Sequence, residues 1–181
     1  MRIQMDIIAI SPGLTGESYL VALRETEGER AISIVIGAVE ANAIAMRINN
    51  VHPDRPMTHD LMHNILVGLN VGTDHVCVRE LNDGVFKSDI VLIQDSKQIV
   101  IDARTSDALA LAVRMDCPIY VESDVLDEVI KHTSASAPKI IMSGTGQPSS
   151  VELQEELRQA LENENYEEAA RIRDLLGGKQ L

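Results

Sequence analysis

The chain of 181 residues has no tryptophan, one phenylalanine and three tyrosines. Its core must therefore be aliphatic, and aromatic platforms for stacking single-stranded bases are nearly absent. Cysteine is scarce too. Cys77 and Cys117 lie forty positions apart in apolar surroundings and form no CxxC pair. That excludes a disulfide framework and points to buried thiols in a reducing compartment. No apolar run approaches the ~20 residues of a membrane span. Met1-Arg2-Ile3-Gln4-Met5-Asp6 lacks the apolar stretch of a signal peptide. The sequence predicts a soluble cytoplasmic protein without a membrane partner.

Positive charge is also short: 16 basic residues stand against 28 acidic ones, a net charge of −12. Of this, −8 falls in residues 1–150 and −4 in residues 151–181. Such a chain cannot hold nucleic acid over a broad basic face, because that binding depends on Lys and Arg releasing phosphate counterions. Apolar residues are plentiful. At 45% hydrophobic and 24% charged, the composition is that of a globular domain and excludes a wholly disordered chain.

Three strand-like runs come first, at Ile3–Ile10, Tyr19–Leu23 and Ile32–Ile36, the last two joined by a polar, glycine-centred loop. The period then changes. Ala41, Ile44, Ala45 and Ile48 recur at helical spacing, and behind a Thr58 cap so do Leu61, Ile65, Leu66 and Leu69. His75–Leu81 and Val85–Ile93 read as strands around the tight-turn signal Asn82-Asp83-Gly84. Ile99–Ile101 adds a strand and Ser106–Met115 an alanine-rich helix. Without regular β-α-β alternation, the fold class is α+β.

An offset of 65 residues aligns Ile34–Ala38 with Ile99–Ala103, Ala43 with Ala108, Pro53 with Pro118, and Leu61 with Leu126. Nine of 32 ungapped positions are identical, and Thr58 falls on Ser123. This spacing predicts two internally duplicated strand–helix–helix units sharing one mixed-sheet core within residues 1–132. Small and polar residues mark 133–150 as a flexible linker. Residues 151–181 then read as an α-helical hairpin, with Leu153, Leu157 and Leu161 in one helix and Ala169, Ala170, Ile172 and Leu176 in the next. So thin a core gains most from packing on a partner.

Polar clusters interrupt the apolar segments at three helix starts: Glu40, then Thr58-His59-Asp60, then Asp102-Ala103-Arg104-Thr105-Ser106-Asp107. Acidic residues in a first turn can simply complement the helix dipole, with Thr58 and Thr105 or Ser106 as caps. They could also serve catalysis. Glu40, Asp60, Asp102 and Asp107 are the oxygen donors that Mg²⁺ or Mn²⁺ would need, with His59, Arg104 and Arg55 available for a phosphate. Arg104 could equally be the counter-ion of Asp102. His59 and His63 share the spacing of helical zinc ligands, but Asp60 stands where a zinc protease needs Glu, which excludes that chemistry. No P-loop, GxGxxG or GxSxG motif occurs, so no organic cofactor is expected.

These stretches carry a resemblance. Ile36-Gly37-Ala38-Val39-Glu40-Ala41-Asn42-Ala43-Ile44-Ala45, Arg55-Pro56-Met57-Thr58-His59-Asp60-Leu61, Asn82-Asp83-Gly84-Val85-Phe86 and Asp102–Ala112 together resemble the bifunctional nuclease (BFN) domain family. Thr105 stands where that family commonly has proline, and His63 is outside its pattern. The resemblance implies an α+β domain, a homodimer, and DNase and RNase activity of little sequence preference. Carried across residue by residue, it highlights Glu40, His59, Asp60, Asp102, Arg104, Ser106 and Asp107. Residues 153–161 and 165–174 resemble the UVR motif of excision-repair proteins, which implies a protein partner bound through residues 151–177.

The resulting expectation is a metal-assisted nuclease acting weakly on DNA or RNA, with Glu40, His59, Asp60, Asp102, Arg104 and Asp107 as its catalytic set. The alternative is a non-catalytic oligomeric regulatory module that uses the hairpin as adaptor.

Overall fold

Seven strands and four helices make up the described part of the computed structural model, residues 1–13 and 18–136. In chain order they are β1 (Arg2–Pro12), β2 (Ser18–Glu25), β3 (Ala31–Gly37), α1 (Ala38–Ile48), α2 (Thr58–Gly68), β4 (Gly72–Asn82), β5 (Val85–Gln94), β6 (Lys97–Arg104), α3 (Thr105–Met115), β7 (Ile119–Glu122) and α4 (Ser123–Ser136). Contacts divide the chain into two units, Met1–Ala137 and Pro138–Leu181. Helix α4 runs on through residues 133–136, the first four of the expected 133–150 linker; the rest of that linker and the expected helical hairpin of 151–181 lie outside the described residues. Among the described residues no helix is long and apolar enough to cross a membrane.

The fold is α+β, built on one mixed sheet of order β3-β2-β1-β7-β4-β5-β6. Two antiparallel meanders, β1-β2-β3 and β4-β5-β6, meet at β7, which runs antiparallel to β1 and parallel to β4. The β7 strand is an element that the two-unit reading lacked. Each outer strand runs straight into a helix: β3 into α1, and β6 into α3. Although β3 and β6 are opposite edges, Ile36, Gly37 and Arg104 line one cleft. Twist thus curls the sheet until its ends approach.

Local sequence accounts for these elements. In β3, Ile32, Ile34 and Ile36 are buried while Ala31, Ser33, Val35 and Gly37 are exposed, the period of a strand with one face on the core. The β4–β5 turn places Asp83 at φ 50° and Gly84 at φ 77°, the left-handed pair of a tight hairpin turn. Helix α3 is the hub. Residues Ala108 to Ala112 are at most 1% exposed, and both α1 and α2 pack on this helix. Alanine allows that close approach, while each fully buried leucine contributes roughly 1.5–3 kcal/mol.

Helix α2 presents a different face from the expected one. Leu66 packs on the core, but Leu61, Ile65 and Leu69 are 54%, 50% and 60% exposed. The inward side carries His59, Met62 and Leu66, because the polar anchors described below fix the helix's rotation. Thr58 is the first helical residue and Met57 the cap, its N–H donating to Asp60 Oδ2 at 2.9 Å. Nor does Thr105 cap α3. Its hydroxyl pairs with the Ser88 hydroxyl at 2.7 Å and donates to the Phe86 carbonyl at 3.1 Å, tying the helix start to β5. Burial pushes the thiols of Cys77 and Cys117 up to about 11, so both are protonated at neutral pH.

Candidate functional site

The two strand-to-helix junctions and the start of α2 meet in a chain of four side chains, Glu40–Arg104–Asp107–His59. Arg104, at the α3 cap, donates from Nε to Asp107 Oδ2 at 2.7 Å and from Nη2 to Oδ1 at 3.0 Å. Its Nη1 donates to Glu40 Oε1, on α1, at 3.1 Å. On the far side of Asp107, His59 Nε2 lies 3.0 Å from Oδ1. Burial raises the Asp107 carboxyl, but hydrogen bonds from Arg104 and His59, with their charges, carry it below the ordinary carboxylate value. The hydrogen bond to Asp107 in turn raises Arg104. A guanidinium has five N–H donors, and three are used here, which leaves two on an arginine whose side chain is 67% exposed.

Arg104 also walls a cleft of about 330 Å³ between the β3 edge, the β4–β5 turn and the start of α3. Four of the six candidate residues therefore come together beside an open cavity. With His59 neutral, Glu40, Arg104 and Asp107 sum to one negative charge. With His59 protonated they sum to zero.

Asp60 and Asp102 do not join this group. Asp60, adjacent to His59 in sequence, faces the other way and accepts from Arg114 Nε at 2.6 Å. Arg114 has a side chain only 5% exposed, and it also donates to the carbonyls of Ala110 and Ala43 at 2.8 and 3.1 Å. This clamp joins α1, α2 and α3. Burial raises the Asp60 carboxyl, but the Arg114 and Met57 hydrogen bonds outweigh it and lower the value. Asp102 is on the β6 edge, and its counter-ion is Arg79, not Arg104. Arg79 Nη2 donates to Asp102, and its Nε donates to Asp89 at 2.7 Å. Arg55 is exposed on the α1–α2 loop.

A divalent cation needs several converging oxygens. The donor set here does not fit that requirement: each of Glu40, Asp60, Asp102 and Asp107 accepts from an arginine. Among the described residues, no group of three or more His, Cys, Asp or Glu side chains is placed to hold a metal. His63 makes its contact with Asn64, at 3.2 Å between Nδ1 and Oδ1. Two organising residues escaped sequence reading. Arg114 could have been noticed as a charge inside an otherwise apolar, alanine-rich helix; Arg79 carries no comparable signal.

An α+β domain with a four-membered polar chain at its strand-to-helix junctions defines the class of protein. The sequence profile of the bifunctional nuclease domain matches residues 21–134, and the chain belongs to that family. A UvrB/uvrC motif profile matches residues 151–180. Two proteins from different strains of Mycobacterium tuberculosis, the uncharacterized proteins MT1877 and Rv1829, are each 39% identical over 107 residues. Each match covers 59% of this chain and 63% of the relative, so the chain spans less than two thirds of the relatives' length.

Proposed function

We propose that this protein hydrolyses phosphodiester bonds in DNA or RNA with little sequence preference, using the Glu40–Arg104–Asp107–His59 chain. Family membership supports the reaction class. The observation that carries the site is the double engagement of Asp107, by Arg104 on one side and His59 on the other.

In this reading the two unused N–H groups of Arg104 bind the non-bridging oxygens of the scissile phosphate. Asp107 accepts from Nε2–H of His59, which leaves Nδ1 to take a proton from the attacking water. Water oxygen bonds to phosphorus, the bond to the leaving oxygen breaks, and that oxygen is protonated from solvent. Glu40 holds Arg104 from its other side. No step passes through a metal. Asp60 acts through the Arg114 clamp as a positioning residue for His59, and Asp102 has no role in the reaction. The segment matching the UvrB/uvrC motif serves to engage a protein partner.

The test is hydrolysis of labelled DNA and RNA, single- and double-stranded, by highly purified protein with Mg²⁺, with Mn²⁺ and with a chelator. Wild type cleaves in all three conditions, and His59→Ala loses cleavage while melting as a folded protein. Equal cleavage by wild type and His59→Ala would identify a contaminating nuclease. It would leave the chain as a non-catalytic binding module.

A further inference from the structure

The cleft beside Arg104 has features that phosphate binding does not use. Its wall includes Phe86, the chain's only phenylalanine, together with Val35 and Val85, which are 66% and 61% exposed. Ser106 lines the same cleft. It is only 8% exposed, and its hydroxyl has no hydrogen-bond partner among the described residues. Among the described residues the sealed, unpartnered side-chain oxygen is Thr73 Oγ1, so the Ser106 hydroxyl opens into the cleft, where a ligand atom can reach it. On the other wall stands the Glu40 carboxylate, whose Oε1 is taken by Arg104. One small pocket thus offers an aromatic and aliphatic surface, an acceptor carboxylate and an unused hydroxyl, next to the guanidinium assigned to the phosphate.

We propose that this cleft is a subsite for one unpaired nucleobase, so that the protein prefers single-stranded nucleic acid to duplex. The proposal rests on the nuclease reading only in placing the neighbouring phosphate on Arg104. A volume of about 330 Å³ is at the small end for ligand pockets and suits one base and part of its sugar, not a stacked pair. The base face lies on Phe86 and the valines. An edge N–H donates to Glu40, and the Ser106 hydroxyl pairs with a ring nitrogen or carbonyl. A paired base cannot enter, since its edge is occupied and leaving the stack is unfavourable. Neutral recognition of this kind also suits a site whose charges sum to zero or below, where attraction of the phosphate backbone is weak.

The test uses the full chain and a phosphorothioate-linked hexamer carrying 2-aminopurine, which resists hydrolysis, either alone or annealed to its complement. Wild type binds the single strand about tenfold tighter than the duplex and quenches 2-aminopurine fluorescence as the base stacks. Phe86 also packs against the core, so Phe86→Leu replaces the ring while keeping apolar volume. That variant abolishes the quench and weakens single-strand binding about tenfold, with duplex binding unchanged. Ser106→Ala weakens single-strand binding several-fold. Equal affinity for the two forms, or an undiminished quench in Phe86→Leu, overturns the subsite. Cleavage that is equal on both forms likewise removes the subsite and leaves the nuclease reading standing. A quench without cleavage of an ordinary oligonucleotide supports the subsite and removes the nuclease reading.

Discussion

Asp107 and His59 belong to different helices, forty-eight positions apart, and their side chains meet at 3.0 Å between Oδ1 and Nε2. Asp107 is the only carboxylate of the candidate set that touches both a histidine and an arginine. Asp107→Asn offers His59 Nε2 an ambiguous partner and removes one charge from Arg104. Cleavage should fall about 10²–10⁴-fold, the usual scale for an acid–base group that loses its tautomer. Asp102→Asn, at the Arg79 pair, should leave the rate within about twofold. Initial rates on a labelled oligonucleotide, with melting curves for both variants, check the contrast. A large loss in Asp102→Asn would contradict this placement of the site.

Gly37 offers a separate handle on Glu40. A Cβ built at Gly37 falls on the Glu40 carboxylate. The residue itself has φ −74° and ψ 162°, which alanine adopts without strain. Gly37→Ala should therefore push Glu40 away from Arg104 and leave the backbone intact. Stability should stay level or rise by up to about 1 kcal/mol, because alanine restricts the unfolded chain. Cleavage should fall about tenfold, as misplacement of a catalytic group does. Urea unfolding and steady-state rates, measured on one preparation, separate the two effects.

How far the sequence alone reached follows from the range of each interaction. Strand β3 was legible because its alternation is set by residues two apart, and the β4–β5 turn because Asp83 and Gly84 fill their left-handed positions locally. Strand β7 was not, since its four residues (Ile119–Glu122) owe their pairing to β1 and β4, both distant in sequence. In α2 the period was right but the inward face was wrong. That helix is apolar on two sides, and the choice between them rests on Arg114 and Asp107 across the fold. The same holds for the site. All six residues were visible at or just before helix starts, yet Asp60 and Asp102 part from the others because of arginines 54 and 23 positions away.

Arg114 should dominate the stability of the helical layer. Its guanidinium is buried and donates to Asp60 and to two carbonyls on different helices. Arg114→Ala strips partners from all three, and removing one member of a buried pair destabilises by about 3–5 kcal/mol. Arg114→Lys keeps the charge but cannot reproduce a planar fork, so it should recover only part of the loss. Asp60→Asn still accepts from the Met57 N–H and should destabilise less than Arg114→Ala. Midpoints of urea unfolding rank the three, and an Arg114→Ala midpoint equal to wild type would remove the clamp.

Acid should weaken the fold in part through two of the depressed carboxylates, Asp60 and Asp107, which hold the helical layer. Asp60 and Asp107 both lie below the ordinary value in the folded chain, despite burial, because arginine hydrogen bonds favour their charged forms. A carboxyl of this kind binds its proton more weakly folded than unfolded. Its stabilisation is therefore complete above the unfolded value near ~3.9, and is lost as pH falls through the lower folded value. The urea midpoint should hold steady from about pH 7 to pH 5 and drop steeply below about pH 4. In a double variant, Asp60→Asn with Asp107→Asn, the midpoint at pH 7 is already lower and the fall below pH 4 is shallower, since neither side chain can take up a proton. Parallel acid limbs for wild type and the double variant would show that other carboxylates govern the transition.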